Sequence, residues 1–388
     1  MDRVTSLTGR LSFQVLLIAI ASRFLLVAMN WFTFKIFPTF QRGYPKLFDE
    51  LIPAEHPLAG WARWDAAHYA LVAFEGYEGP AGEPVQTRGF FPLYPMLTRA
   101  YAWIMPGEAT RADVAVAGVI IANICFLAMV VLMAKMIALQ FDREVALTAT
   151  TLLMVSPFAF FFNAGYSESV FLLGVVVAFW FAYRQQWIGA SVAIAVASAT
   201  RLFGLALIPC ILWIAWKQRA QIRDLMIIPT VGAAGTLSYV IWTWIRYDDA
   251  LAYWNAQSTF WGDWHDRLGA YIDILRDQPM NMIRSPENIV ILMNLGMAVL
   301  VLATLPWVWK HVEPGLALFT TIIAVFHTAY TWHSLGRYLL AAIGVYIVWA
   351  LWLNRPGWNT GVRTAVIVAS TVVLTTLNLM FAHGFWIV

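Results

Sequence analysis

Asp65 and His68 stand three residues apart in the stretch GWARWDAAHYA, residues 60–70. On a helix that spacing puts a carboxylate and an imidazole on one face. A carboxylate so placed can take the proton from a hydroxyl as that hydroxyl attacks an electrophile. If the group displaced is a phosphate, cations must hold it, and guanidinium meets phosphate with paired hydrogen bonds. Arg201 and Arg337 suit that task. Two ligands do not make a metal site, and no further Cys/His cluster has ligand spacing, so neither a metal nor a cofactor is expected. By itself the Asp-x-x-His pair is a weak signature. Asp65 would serve equally as a loop carboxylate paired with Arg63, and His68 as an interfacial histidine bonded to backbone.

The elements that position these residues are set by composition. Of 388 residues, 61% are hydrophobic and 12% charged. Soluble domains carry about 25% charged residues, so the solvent of this chain is lipid. The net charge of +3 comes without any basic run, which argues against a nucleic-acid partner. Cys125 and Cys210 lie in apolar stretches and read as small core residues. Residues 11–29 form a long apolar segment with no small-residue cleavage site after it, and read as a retained helix.

A spanning helix needs roughly 20 mostly apolar residues. That rule gives about eleven candidates: 11–30, 112–139, 144–163, 167–184, 187–200, 201–216, 225–245, 287–309, 314–332, 335–353 and 364–383. The pair 187–200 and 201–216 is short for two full spans and reads as a tilted or re-entrant hairpin. The fold class expected is an all-α polytopic bundle forming one domain over residues 1–388. Arginine and lysine place the N-terminus inside, since Arg143, Arg184, Lys217, Arg219, Arg223, Lys310, Arg355 and Arg363 all then fall in inner loops. Two long segments lie outside, 31–111 and 246–286. Their aromatics interleaved with proline suit short interfacial helices, with Trp61 and Trp64 at headgroup depth.

The costly residues gather on one side. Arg23, Asn123, Glu168, Arg201, His327, His333 and Arg337 all fall towards the outer ends of their spans, and Asp65 and His68 in the first outer loop. Lys135 is the exception, and it can snorkel to the inner interface. Arg23 reads as the structural partner of an acidic loop residue, and Glu168 as a carboxylate favoured by a helix N-terminus. One-sided polarity suits an outward-facing site. A transporter or flippase for a lipid-linked or anionic substrate is the competing reading, though it would need polar groups deep on the inner side as well. A non-catalytic scaffold or sugar-lipid sensor is a third.

Several stretches, in order, carry a family resemblance: RWDAAHYALVAFEGY at 63–77, GFFPLYP at 89–95, SPFAFFFNAGYSESVFLL at 156–173, ATRLFGLAL at 199–207 and, more weakly, SLGRYLL at 334–340. The chain resembles the PIG-V family of mannosyltransferases, which have the GT-C fold. The resemblance implies an inverting transfer of mannose from a polyprenyl- or dolichyl-phosphate donor to a glycolipid hydroxyl. Such an enzyme works at the non-cytoplasmic face, with membrane lipids as its surroundings. It implies Asp65 as the catalytic base, with Trp64 beside it. His68, Tyr166, Glu168 and Arg201 fall on matched blocks and, with Arg337 and His333, are the candidate substrate-binding residues. Leu202, Phe203 and Gly204 replace the Ser-Asn-Gly that follows the arginine in eukaryotic members. Short inner loops and the absence of an ER-type tail signal point to a prokaryotic plasma membrane, with the ER membrane as the alternative.

Overall fold

The computed structural model describes residues 2–37, 51–53, 55–77, 85–105, 107–261, 286–330, 334–357 and 360–385, and the single positions 83, 269, 272, 273, 276 and 387. Among them there is no strand. The helices follow in the order α1 (Asp2–Ile36), α2 (Asp65–Phe74), α3 (Leu93–Ile104), α4 (Arg111–Ile137), α5 (Arg143–Met154), α6 (Glu168–Tyr183), α7 (Trp187–Thr200), α8 (Leu207–Lys217), α9 (Ile222–Tyr247), α10 (Ala252–Trp261), α11 (Pro286–His311), α12 (Pro314–Tyr330), α13 (Leu335–Leu339), α14 (Ile343–Leu353) and α15 (Thr360–Ala382).

Among the described residues five helices are long and apolar enough to cross a membrane by length and composition: Gly9–Ile36, Arg111–Ile137, Ile222–Tyr247, Ile289–His311 and Thr360–Ala382. Most of the other predicted spans fall on shorter apolar helices, among them α6, α7, α12 and α14. The chain is an integral membrane protein with an all-helical bundle, as its composition requires.

Three predicted spans are broken, each near the site. The span expected over 144–163 stops at Met154 and resumes only as a 3-10 turn, Ala159–Phe162. Pro157 disfavours helix at the residue before it and brings no N–H of its own. The carbonyls freed by this break need donors, because no water reaches them in an apolar core. Arg23 of α1 supplies them. Its guanidinium donates to the carbonyls of Ala159 at 3.3 Å and Met154 at 3.4 Å, and to the side chain of Asn163. It lies 4.2 Å from the Phe126 ring centroid. The acidic loop partner expected for Arg23 is therefore corrected: it caps a broken helix. The span over 201–216 opens as a 3-10 turn, Leu202–Ala206, before α8. The span over 335–353 splits into α13 and α14 around residues 340–342.

The segment 31–111 folds into α2 and α3, which pack on each other and on α4. One face of α3 buries Tyr94, Pro95, Thr98 and Ala102, and the other exposes Met96, Trp103 and Ile104, as an interfacial helix requires. Trp61 and Trp64 correct another expectation. They are only 2% and 7% exposed, so their rings pack against protein and do not face lipid. The loop that holds them is docked onto the loop before α6: Gly165 N donates to the Trp61 carbonyl at 2.8 Å, and Tyr166 Oη to the Arg63 carbonyl at 3.1 Å.

Gly336, in α13, has no room for a side chain. A Cβ there would come within 2.2 Å of the Phe158 ring, which is itself 1% exposed. Its N–H donates to Asn294 Oδ1 of α11 at 2.8 Å. Gly336→Ala is expected to destabilise the detergent-solubilised protein by about 1–3 kcal/mol, the usual size of an overpacking strain. Thermal unfolding followed by tryptophan fluorescence measures it, and an unshifted midpoint would show that Phe158 yields freely.

Candidate functional site

Four charged side chains from four separated parts of the sequence meet where α2, α6, α7 and α13 come together. Glu168 is the first residue of α6, and its Oε1 accepts from Arg337 Nε and, at 2.9 Å, from Arg201 Nη2. Arg337 reaches Asp65 Oδ2 through Nη1 at 2.8 Å. Arg337 and Glu168 are almost wholly enclosed, with side chains 2% and 4% exposed, while Arg201 at 14% and Asp65 at 22% are the more open pair. Formal charges balance, two carboxylates against two guanidiniums. Balance is what a weakly polar interior demands, since removing one partner of a buried pair strands the other.

Aromatic rings floor this cluster. The Arg337 guanidinium carbon lies 4.7 Å from the Tyr166 ring centroid, 5.3 Å from Phe161 and 5.2 Å from Tyr338. Arg201 lies 5.1 Å from the same Tyr338 ring. Beyond it, His327 stacks on Tyr338 at 4.4 Å and 7°. A narrow cavity opens here, lined by Glu168, Arg201 and Arg337 with His327, Tyr338 and apolar residues including Phe203. One end is cationic and the walls are apolar, which suits an amphiphile with an anionic head.

The local backbone aims the two ends of the Asp65–Arg337 pair. Trp64 caps α2 with φ +56° and ψ −121°, a conformation that costs a non-glycine residue on the order of 1–3 kcal/mol. Ser334 precedes α13 at φ +62°. Buried packing of the Trp64 ring and the docked loop around it hold the first of these turns in place, and Asp65 follows directly. Such strain is found where surrounding structure over-determines a functional group.

The sequence candidates divide clearly. Asp65, Glu168, Arg201, Arg337 and Tyr166 are brought together. Asp65 takes its salt bridge from Arg337, while Arg63 donates through Nε to the Ala382 carbonyl at 3.2 Å. His68 follows one turn behind Asp65 but turns into an aromatic wall, stacked on Phe90 at 5.1 Å and edge-on to Trp261 at 6.3 Å. Burial there lowers its pKa below the usual imidazole value, against the opposing pull of Asp65. A neutral ring at pH 7 follows. Trp64 shapes the turn and is buried. His333 lies outside the described residues. Among the described residues no group of three or more His, Cys, Asp or Glu side chains could hold a metal ion.

Sequence reasoning missed Tyr338 and the stacking role of His327. Tyr338 adjoins Arg337 and His327 ends a span, but nothing in a sequence shows that the two rings lie parallel. It also missed Tyr69, whose hydroxyl shares a 2.7 Å hydrogen bond with Ser167 Oγ and so ties α2 to the start of α6.

The fold is similar to two solved structures. ArnT from Cupriavidus metallidurans, in a crystal structure bound to undecaprenyl phosphate, superposes with a TM-score of 0.53 at 12% identity, over 95% of this chain and 71% of that one. The oligosaccharyltransferase of Archaeoglobus fulgidus in its apo form gives 0.52 at 14% identity, over 96% of this chain and 55% of that one. The present chain thus spans about half the length of the oligosaccharyltransferase. These likenesses define a GT-C-type membrane fold. Residues 13–227, more than half of the chain, match the model of the mannosyltransferase (PIG-V) family, and the chain belongs to that family of glycosyltransferases. No curated protein sequence matches it.

Proposed function

We propose that the protein transfers mannose, with inversion, from a polyprenyl-phosphate donor to a glycolipid hydroxyl, and that the charged cluster is its active site. One observation carries this reading: a carboxylate of intermediate exposure stands in contact with one of two arginines that line a narrow cavity with Glu168 and mostly apolar side chains. Asp65 takes the proton of the acceptor hydroxyl as its oxygen bonds to the anomeric carbon. The bond from that carbon to the phosphate oxygen breaks with its electron pair. Arg201 and Arg337 hold the phosphate that leaves, and Glu168 holds the two guanidiniums. Tyr166 supports Arg337 from below. Inversion follows from a single displacement by one base. His68 shapes the wall beside Asp65. The family match and the undecaprenyl phosphate bound to the similar ArnT support the choice of donor. Purified protein, radiolabelled polyprenyl-phosphate mannose and a membrane lipid extract provide the test. A new labelled glycolipid is expected. Intact donor after prolonged incubation, with label appearing across a vesicle membrane instead, would replace the transferase by a flippase.

Under the same proposal the site lies at the extracytoplasmic face of a prokaryotic plasma membrane; the basic loops read as inner ones support that orientation. Glu108 and Lys310, both exposed, lie towards opposite faces in this arrangement. With Cys125 and Cys210 replaced, Glu108→Cys is expected to react with an impermeant maleimide on intact cells and Lys310→Cys only after lysis. The reverse pattern would invert the protein and move the reaction to the cytoplasm.

A further inference from the structure

The charge balance of the cluster has a consequence for the order of events. With two carboxylates and two guanidiniums already matched, an entering phosphate brings negative charge that the cluster can accept only by exchanging a partner. The links are unequal. Glu168 is 4% exposed and its Oε1 serves both arginines, so displacing it would strand a buried carboxylate. Asp65 is 22% exposed and meets Arg337 through one contact, Oδ2 to Nη1. It sits at the start of a short helix, where water can take over its solvation. This is the link that opens at least cost.

We propose that the donor phosphate displaces Asp65 from Arg337, so that the base is freed only in the donor-loaded protein. The proposal rests on the reading of the cluster as a donor-phosphate site. With no donor bound, Asp65 Oδ2 is held in its contact with Arg337 Nη1. Once phosphate takes Nη1, that oxygen is free to accept from the acceptor hydroxyl. Donor thus binds before the acceptor meets a free base. Among the described residues, the charged and titratable groups near Asp65 include Arg337 from α13, Tyr166 just before α6 and His68 one turn along α2. Of these, only Arg337 forms a salt bridge with the carboxylate.

The test uses undecaprenyl phosphate, which carries the phosphate head but no sugar. Its binding is measured directly with radiolabelled lipid. Labelling of Asp65 by a hydrophobic carbodiimide is followed by peptide mass spectrometry at one fixed pH. Bound lipid phosphate releases the carboxyl from Arg337 and is expected to speed labelling about tenfold or more, the size of one lost charge-assisted hydrogen bond. Arg337→Gln should label at the fast rate without lipid, and lipid held by Arg201 should add little. Lipid that binds wild type and leaves Asp65 labelling unchanged or slower overturns the exchange. An equal acceleration in Arg337→Gln overturns it as well, since the phosphate would then act at a distance. Failure of the lipid to bind at all removes the phosphate site itself, and with it the proposed function.

Discussion

Asp65→Asn is expected to fold, to retain donor binding and to lose about 10²–10⁴-fold in single-turnover transfer, the range typical of a general base. The amide keeps the shape of the carboxylate and can still meet Arg337, but it cannot take a proton. Asp65 is the one carboxylate of the cluster with appreciable exposure, so its removal leaves Glu168 paired with both arginines and the bundle intact. Asp65→Glu is expected to be impaired too, because the strained turn at Trp64 fixes where the side chain starts and an added methylene moves the oxygen from its target. Single-turnover transfer at saturating donor, beside a donor-binding assay, separates chemistry from affinity. A folded Asp65→Asn protein that transfers at the wild-type rate would leave Asp65 as a mere anchor for Arg337.

Arg337→Ala is expected to be the most damaging single change to the site. It removes the partner of Asp65 and one of the two cations on a buried glutamate. Breaking a buried pair from one side costs about 3–5 kcal/mol of stability, so the expected first sign is a lower yield of folded protein. Arg337→Lys keeps a charge but not the fork that spans Glu168 and Asp65 at once, and should fold. Losing one charge-assisted hydrogen bond of roughly 1.5–3 kcal/mol should then weaken donor use by about ten- to a hundredfold. Arg201→Gln, at a more open position, should fold and show a weaker donor without the loss of yield. Donor titrations of the lysine and glutamine variants measure both. Wild-type donor affinity in each would move the phosphate away from these arginines.

Much of this site could be read from residue type and position along the spans. A buried acid or arginine is expensive in an apolar chain, so Glu168, Arg201 and Arg337 stood out, and their common side followed from span polarity. What could not be read was which charge met which. Arg63 is two residues from Asp65, yet the bridge comes from Arg337, and the partner of Arg23 proved to be a set of carbonyls. Such pairings are tertiary and leave no local pattern. Trp61 and Trp64 were misplaced for a related reason. A hydropathy pattern does not distinguish a ring that faces lipid from one that faces protein, since both environments are apolar. The helix break at 340–342 was hidden because apolar residues run straight through it, whereas the one at 155–158 was marked by Pro157 and read through.

The helices that carry the cluster are short. α2 has 10 residues, α6 has 16, α7 has 14 and α13 has 5. At about 1.5 Å per residue the longest of them spans roughly 24 Å, against a hydrocarbon thickness of about 30 Å. α4 and α9, which are full length, pack directly against α6 and α7, and α6 has no exposed residue. A short helix enclosed by longer ones need not match the lipid thickness itself. The shortfall at its end, roughly 6 Å, lies inside the protein, so polar groups there meet neighbouring helices before they meet lipid.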